Sequence, residues 1–420
     1  MFRKEAGIPR AEIVVIGNEV TSGLVRDTNS GEIGARLLAV GVDVSRSAAV
    51  GDDEEQIVDA VRQAMGRVDV VVVTGGLGAT RDDITKRVLA GLFRSGFRSD
   101  PAVRETVERI FRARGMEAPV NALTQCEVPD NARILYNEKG TAPGLMFEKD
   151  GKRVYALPGV PLEMRHLLEK YVLPDMAQIG GGMKTESRVL WTTGISESGL
   201  WEKIGPADPL ECHATVASLP SHLGVRIRLS AWGESLDEVR ARLDAAEKIL
   251  RENADEYIFA RDGDTMEGAV GELLRRKKLT LAVAESCTGG LIGHRLTNVP
   301  GSSDYFLEGA VVYGNRAKEN RLGVDPDLLS KHGAVSREVA LAMAEGIRKT
   351  AGADIGLAAT GIAGPAGGTE TKPAGLTFIA VSGAQGARCE KFLFHQDRIL
   401  NKERAAQAAL NLLRLRLLRT

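Results

Sequence analysis

The segment Ala284-Glu285-Ser286-Cys287-Thr288-Gly289-Gly290 contains the residue types of a nucleophile turn. It follows the apolar run 279–283, and an apolar run that stops at small polar residues and glycines predicts a strand, a tight turn and a helix. Such a turn places Ser286 beside a helix N-terminus, where free backbone N–H groups favour negative charge. Ser286 could therefore be a nucleophile with an oxyanion site beside it, or it could simply cap the helix.

The composition excludes several classes of protein. The net charge is −1, so the chain as a whole has no electrostatic reason to bind nucleic acid or an anionic membrane. Its apolar runs are too short to cross a bilayer, and its first residues lack the apolar core of a signal peptide. No membrane partner is therefore expected. The four cysteines have no metal-like spacing, which predicts free thiols in a reducing cytoplasm.

Alternating strand and helix patterns predict an α/β architecture at both ends of the chain. The first part reads strand, helix, strand, helix, strand, which indicates a parallel sheet with right-handed crossovers. A boundary is predicted near Pro174 and the glycines at 180–182, and a small α+β part follows up to about residue 261, with strand candidates at 187–193 and 225–231. From about residue 263 onward the strand and helix alternation returns, with strands predicted at 279–284, 309–313, 355–359, 376–381 and 390–394. Tyr313 is the last residue of the second of these strands.

The first part has its own candidate residues at predicted strand ends. Ligands on parallel sheets lie at the carboxyl ends of strands, and the glycines at 17 and 75 both fall there. Asp82 and Asp83 follow the second glycine-rich segment, and Glu19 follows the first. Such carboxylates cap helices, but beside a phosphate-binding loop they can also hold Mg²⁺.

Several motifs, in order, resemble the CinA (competence/damage-inducible protein) family over nearly the full length. Those of the C-terminal part are residues 284–290, 299–303, 312–318 and 359–365, which are similar to the family's nicotinamide mononucleotide deamidase domain. Those of the N-terminal part are residues 17–19, 27–29, 74–83, 140–144 and 157–161, which resemble the MoaB/MogA-like fold. The resemblance implies two three-layer α/β domains, at 1–177 and 262–420, joined by a small α+β (KH-like) domain at 178–261.

For the C-terminal domain, the resemblance implies deamidation of nicotinamide mononucleotide without a cofactor. Ser286 is then the nucleophile, Lys318 the base and Tyr313 a proton relay or amide-positioning group, whereas the residues alone leave Lys318 open to being a solvated surface lysine. Cys287 is intrinsically more nucleophilic, but a small thiol at this place is more often buried and inert. The expected substrate-binding residues are Thr288, Gly289, Gly290, Asn315, Thr360, Gly361, Ala363, Gly364 and Arg398.

For the N-terminal domain, the resemblance implies hydrolysis of ADP-ribose with a divalent metal such as Mg²⁺. The expected metal ligands are Asp82, Asp83 and Glu19, and the expected substrate-binding residues are Gly75, Gly76, Gly78, Thr141 and Gly159. A cytoplasmic homodimer is expected. Two alternatives remain: an N-terminal domain that binds pterins or nucleotides without catalysis, and a competence factor that acts on nucleic acid. Residues 184–261 lack the basic Gly-x-x-Gly loop of RNA-binding KH domains, which disfavours the latter.

Overall fold

The computed structural model describes residues 9–179, 183–395 and 397–419. The chain packs into two compact units. The first runs to Glu186 and also contains Ala231–Ala241, and the second contains Ser187–Ser230 and the chain from Arg242 onward. The glycines at 180–182, on which a boundary was predicted, lie outside the described residues. Among the helices that are described, none combines the length and the apolar character needed to cross a membrane.

The first unit is an α/β fold around one large sheet. Its strands are β1 (Arg10–Ile16), β2 (Asp43–Val50), β3 (Val70–Thr74), β4 (Phe97–Ser99), β5 (Glu127–Pro129), β6 (Arg133–Leu135), β7 (Gly144–Lys149) and β8 (Lys152–Leu157). Its helices are α1 (Asn18–Thr21), α2 (Asn29–Ala39), α3 (Glu54–Arg67), α4 (Thr85–Leu92), α5 (Pro101–Arg112), α6 (Val120–Leu123), α7 (Pro161–Leu167) and α8 (Leu173–Ile179). The order in the main sheet is β2-β1-β3-β8-β7-β6, and β4 pairs with β5 apart from it.

This main sheet is buried on both faces. In β3, Val71 and Val73 belong to one hydrophobic cluster while Val70 and Val72 belong to another. The continuous valine run is therefore the signature of a strand covered by helices on both sides. Strands β1, β2 and β3 are parallel as predicted, and β8 joins them in parallel, whereas β7 pairs antiparallel with β8, and β6 with β7. The strand ends that position ligands, after β1, β3 and β8, all belong to the parallel part.

The middle of the chain forms a smaller antiparallel sheet with helices. Its elements are β9 (Lys184–Thr192), α9 (Glu197–Ile204), α10 (Asp208–Glu211), β10 (Thr215–Ser221), β11 (Gly224–Gly233), α11 (Leu236–Ala254) and β12 (Ile258–Arg261). The strand order is β10-β11-β9-β12. The sequence patterns predicted β9 and β11 but not β10, which is partly exposed along its whole length and lacks clear alternation.

The last part of the chain is a second α/β domain. Its strands are β13 (Leu281–Glu285), β14 (Phe306–Val311), β15 (Ile355–Gly361), β16 (Leu376–Gly383) and β17 (Gly386–Leu393). Its helices are α12 (Met266–Lys277), α13 (Leu291–Thr297), α14 (Asn315–Leu322), α15 (Pro326–His332), α16 (Arg337–Thr350) and α17 (Arg398–Arg419). The strand order is β14-β13-β15-β16-β17, parallel up to β15 and antiparallel beyond it.

Helices cover both faces of this second sheet as well, so both α/β domains have three layers. Val283 of the central strand β13 belongs to a cluster with α12, α13 and α17, whereas Ala282 and Ala284 belong to a cluster with α16. The strand predicted at 309–313 is Phe306–Val311. Tyr313 therefore lies beyond the strand, in the connection to α14, rather than at its end.

Candidate active site

The turn after β13 carries Ser286 at the centre of the second sheet. The backbone N–H of Ser286 donates to the carbonyl of Ala359 on β15, 2.9 Å away, which fixes the start of the turn. Gly289 and Gly290 have φ values of 62° and 95°, a region that glycine adopts without strain. Helix α13 begins only after Gly290, so the reading of Ser286 as the helix cap is wrong.

Lys318 lies directly against Ser286. Its side chain is fully buried, so the reading as a solvated surface lysine is wrong. Its Nζ is 3.1 Å from the Ser286 Oγ, 2.8 Å from the carbonyl oxygen of Val312 and 2.9 Å from that of Tyr313. Burial lowers the pKa of Lys318 below its usual value, because the charged amine is poorly solvated there.

This arrangement suits a neutral amine. A neutral amine has two N–H bonds and one lone pair, and the Val312 and Tyr313 carbonyls can take one N–H bond each. Nζ donates to the Ser286 oxygen in this structure, and once the amine is neutral its lone pair can take the hydroxyl proton of Ser286 instead. The pair thus has the geometry of a nucleophile and its general base, within the hydrogen-bond reach that such a pair needs.

The carboxylate of Glu285 occupies the N-terminus of α13, which sequence reasoning had left open for an oxyanion. It accepts hydrogen bonds from the N–H groups of Gly290, Ile292 and Gly293, at 3.0, 3.0 and 2.8 Å. Glu285 is 1% exposed, so this is a buried anion neutralised by a helix start. The signal that could have identified it is a glutamate at the end of an otherwise apolar strand.

Cys287 is not equipped to compete with Ser286. Its thiol is buried, and burial raises its pKa to about 12. A thiol with such a pKa stays protonated at neutral pH and is a poor nucleophile. The Ser286 side chain, by contrast, is buried but has its base within reach.

Tyr313 and Arg398 form a rim next to this pair. Tyr313 is 59% exposed, and its hydroxyl accepts a hydrogen bond from Arg398 Nη2 at 3.0 Å. Arg398 is the first residue of α17, and its Nη1 donates to the Gly364 carbonyl at 2.8 Å. The side chain of Asn401, which the sequence had not singled out, donates to the Ala363 carbonyl. The segment 361–364 is therefore held to the start of α17.

The remaining predicted residues of this domain fall into different environments. Thr288 is fully buried, and its hydroxyl oxygen has no hydrogen-bond partner among the described residues. Thr360 is also buried, but its hydroxyl donates to the Ala334 carbonyl. Gly361 ends β15, and Asn315 is the exposed first residue of α14. The Thr288 hydroxyl is thus unpartnered but enclosed, while that of Thr360 is already engaged.

The first unit contains a separate cavity of about 860 Å³ at the carboxyl ends of its parallel strands. Its lining includes every residue predicted for this domain: Glu19, Gly75, Gly76, Gly78, Asp82, Asp83, Thr141 and Gly159. Gly75 has a φ of 110°, and a Cβ there would come within 2.0 Å of the Ile16 carbonyl oxygen. Only glycine allows the strands to end this close together.

Asn29 also lines this cavity and was seen in the sequence only as a helix cap. It is buried, and its side-chain nitrogen donates to the Thr74 hydroxyl and the Gly159 carbonyl. Its side-chain oxygen has no partner within the described residues. Asn29 therefore ties two strand ends together and keeps one acceptor unused.

The acidic residues of this cavity are arranged differently from the prediction. Helix α4 begins at Thr85, so Asp82 and Asp83 lie in the preceding turn and do not start a helix. The Asp83 carboxylate accepts from the N–H and hydroxyl of Thr80, at 2.9 and 2.6 Å. In residues 9–179, 183–395 and 397–419, no three acidic, histidine or cysteine side chains cluster as a metal site. Asp82, Asp83 and Glu19 share a cavity without forming a complete ligand set.

Models of known protein families match all three parts of the chain. Residues 12–178 match a family model described as a probable molybdopterin binding domain. Residues 187–260 match the damage-inducible protein CinA KH domain, and residues 263–417 match the CinA C-terminal domain.

Relatives that match this chain over nearly its full length are CinA-like proteins. A CinA-like protein of Salinibacter ruber is 41% identical over 96% of this chain and 98% of its own length. A CinA-like protein of Chloroherpeton thalassium is also 41% identical, over 96% of this chain and 98% of its own length. Among solved structures, a CinA protein of Thermoplasma acidophilum is 34% identical, with a TM-score of 0.37, over 40% of this chain and 99% of that one.

Proposed function

Because this chain belongs to the CinA family, we propose that its C-terminal domain is an amidohydrolase that converts nicotinamide mononucleotide to nicotinic acid mononucleotide and ammonia. The observation that carries the proposal is the buried Lys318 amine at 3.1 Å from the Ser286 hydroxyl. A serine paired with a lysine of lowered pKa is suited to acyl transfer, because the base can be neutral when the serine attacks.

The proposed reaction has two halves. The Ser286 oxygen attacks the carboxamide carbon while its proton passes to Lys318 Nζ. Lys318 returns that proton to the leaving nitrogen, the C–N bond breaks and ammonia departs, which leaves an ester on Ser286. Water, deprotonated by Lys318, then attacks the ester, and the proton returns to the Ser286 oxygen as the carboxylate product leaves.

During the attack the carboxamide oxygen becomes negatively charged and needs hydrogen-bond donors. The N–H groups at the start of α13 are not available for it, because they already donate to the Glu285 carboxylate. The N–H of Ser286 is bonded to Ala359. The next N–H groups along the turn belong to Cys287 and Thr288, and we assign the oxyanion to them. A donor immediately after the nucleophile is well placed for this role, since it moves with the serine.

The test is to incubate the purified protein with nicotinamide mononucleotide and to identify the products by mass. The Ser286→Ala variant should lose nearly all ammonia release and keep its fold, because only a hydroxyl is removed. The matched control is Cys287→Ser, which should keep activity within a few fold. If Cys287→Ser were inactive while Ser286→Ala retained turnover, the nucleophile would be Cys287.

We further propose that the N-terminal domain hydrolyses ADP-ribose to AMP and ribose 5-phosphate. The supporting observation is the 860 Å³ cavity, which joins glycine-rich strand ends to Asp82, Asp83 and Glu19. These oxygen donors fit a hard divalent cation such as Mg²⁺, although the set needs further ligands from substrate phosphates or water. When bound, the ion would neutralise pyrophosphate charge, while Gly75 and Gly76 let the backbone approach the ligand.

The same incubation with ADP-ribose separates the remaining possibilities for this domain. AMP and ribose 5-phosphate formed only with a divalent ion support hydrolysis. Binding without turnover across several metals would make the domain a pterin- or nucleotide-binding module. Tight binding of nucleic acid that weakens steeply with salt would instead favour the competence-factor alternative.

We propose that the protein acts as a homodimer in the cytoplasm. The cysteines at 126, 212, 287 and 389 are all free, which suits a reducing compartment. The dimer is checked by light scattering on the eluting protein, where a mass twice the 45.0 kDa of the chain is expected. A mass of one chain at all concentrations would contradict it.

A further inference from the structure

The second unit holds a cavity of about 480 Å³, distinct from the Ser286 site and from the N-terminal cavity. One wall comes from the four-stranded sheet, with Trp191 on β9, Arg226 on β11 and Phe259 on β12. The opposite wall comes from the C-terminal domain and includes Leu291 and Arg295 of α13. No role has been assigned to these residues by the function proposed above.

The sheet wall is aromatic and offers hydrogen-bond donors. The Arg226 guanidinium lies over the Trp191 ring, 5.0 Å from its centroid, and the Phe259 ring is tilted beside it at 6.5 Å. Trp191 Nε1 and Arg226 Nε are buried atoms, and neither has a hydrogen-bond partner in the part of the chain that is described. Both atoms can only donate, so a ligand that satisfies them must present acceptors.

Some of the polar groups around this cavity already have partners within the protein. Arg295 bonds to Glu267 at 2.7 Å and to Gln407 at 2.8 Å. His222 lies 2.5 Å from the Glu403 carboxylate. Since Arg295 and His222 are engaged in these contacts, the chemistry left for a ligand on the sheet wall is stacking on the aromatic rings and hydrogen bonding to N–H donors.

We propose that this cavity binds the base of a free mononucleotide. A planar heteroaromatic ring can stack against the partly exposed aromatic wall, and nitrogen or oxygen acceptors on its edge can face the N–H groups at the rim of that wall. The volume lies within the range of about 300–1,000 Å³ that is usual for small-molecule sites. Single-stranded RNA offers the same bases, but a cavity walled by two domains suits one small ligand better than a continuous strand.

The position of the cavity links it to the catalytic turn. Leu291 is the first residue of α13, directly after the turn that carries Ser286, and Arg295 lies one helical turn further. A bound base would contact the helix whose start is fixed by Glu285. An effect of the ligand on deamidation follows only if the proposed deamidase function is correct, whereas binding itself can be measured without any activity.

The experiment titrates the full chain with adenosine, AMP and a six-residue adenylate RNA while tryptophan fluorescence is recorded. We expect saturable quenching by adenosine or AMP that disappears in Trp191→Leu and persists in the control Trp201→Leu, since Trp201 lies on α9 and does not line the cavity. Arg226→Gln, which keeps the ring wall, should raise the Kd at least tenfold. Thermal melting of each variant verifies that it is folded.

Two results would overturn the proposal. One is nucleoside or nucleotide binding that is equal in the wild type, Trp191→Leu and Arg226→Gln, or no saturable binding up to millimolar ligand. The other is quenching that depends on Trp191 but is produced by the RNA alone, which would make this surface a nucleic-acid site. Repeating the titration with Ser286→Ala keeps the outcome independent of deamidase activity, because that variant lacks turnover but leaves this cavity unchanged.

Discussion

Replacing Lys318 by methionine separates the catalytic role of this residue from any structural one. Methionine has a similar length and fills the buried volume of the lysine stem, but it provides neither a lone pair nor a donor. In the proposed mechanism Ser286 then lacks the group, 3.1 Å away, that takes its proton. A general base contributes about 10²–10⁴ to a rate. Since this lysine acts in both halves of the reaction, we expect kcat to fall by at least about 10³, or about 4 kcal/mol of barrier.

The effect on stability should be small by comparison. Lys318→Met leaves the carbonyls of Val312 and Tyr313 without their donor, and each lost hydrogen bond costs about 1 kcal/mol. The variant also removes a fully buried amine whose lowered pKa shows that the charged form is disfavoured there. Because these contributions oppose each other, the free energy of unfolding should change by less than about 2 kcal/mol.

The assay is steady-state ammonia release from nicotinamide mononucleotide, together with denaturant unfolding of the same preparations. Lys349→Met is the matched control, because Lys349 is an exposed lysine on α16 that pairs with Glu345. The control should keep both activity and stability. A Lys318→Met protein with kcat within tenfold of the wild type would refute the assignment of the base, whereas loss of activity with gross unfolding would show a structural role.

Three further predictions address the pH profile, Glu285 and the N-terminal cavity. Because only the neutral amine can act as base, kcat/KM for deamidation should rise with pH and level off above the pKa of Lys318, which is lowered from its usual 10.5. A flat pH profile between about pH 6 and 10 would contradict this assignment. Glu285→Gln should reduce kcat more than it raises KM, and it should lower the melting temperature, because the charge that holds three N–H groups at the start of α13 is lost. An unchanged kcat in a destabilised protein would make the role of Glu285 purely structural. Asp82→Asn or Asp83→Asn should suppress metal-dependent ADP-ribose hydrolysis and leave deamidation unchanged, since amides are poor ligands for hard cations. Both activities are followed by mass analysis of the products, and an equal loss of both would contradict the assignment of two separate sites.

Sequence patterns were most informative where burial was complete on both faces of a sheet. The valine run of β3 and the apolar run before Ser286 have no polar alternation, and both are central strands. Patterns failed where a strand was partly exposed, as in β10. They also gave no pairing direction for β16, which is antiparallel to β15. Pairing direction depends on which strand a segment meets, and local periodicity does not contain that information.

At the site, the sequence could predict the residue types but not their environments. Ser286 and Lys318 are 32 positions apart, and only the parallel pairing of β13 and β14 brings the segments that follow them together. Asp82 and Asp83 follow a strand end as predicted, yet the helix begins later, and Asp83 bonds to Thr80 instead. A carboxylate and its hydroxyl neighbour three residues away compete with helix capping, and local sequence does not decide between them.

Glu285 shows why a helix start in an active site is not automatically an oxyanion site. The N-terminus of α13 could have stabilised a developing negative charge, but a permanent carboxylate already accepts its N–H groups. A second anion there would be repelled, which is why we assign the transition-state charge to the donors that precede the helix, at Cys287 and Thr288. The buried carboxylate instead makes the turn rigid, because three charge-assisted hydrogen bonds fix where α13 begins relative to β13. Ser286 lies in the turn between β13 and α13, so fixing both elements places its hydroxyl against Lys318 before any substrate binds.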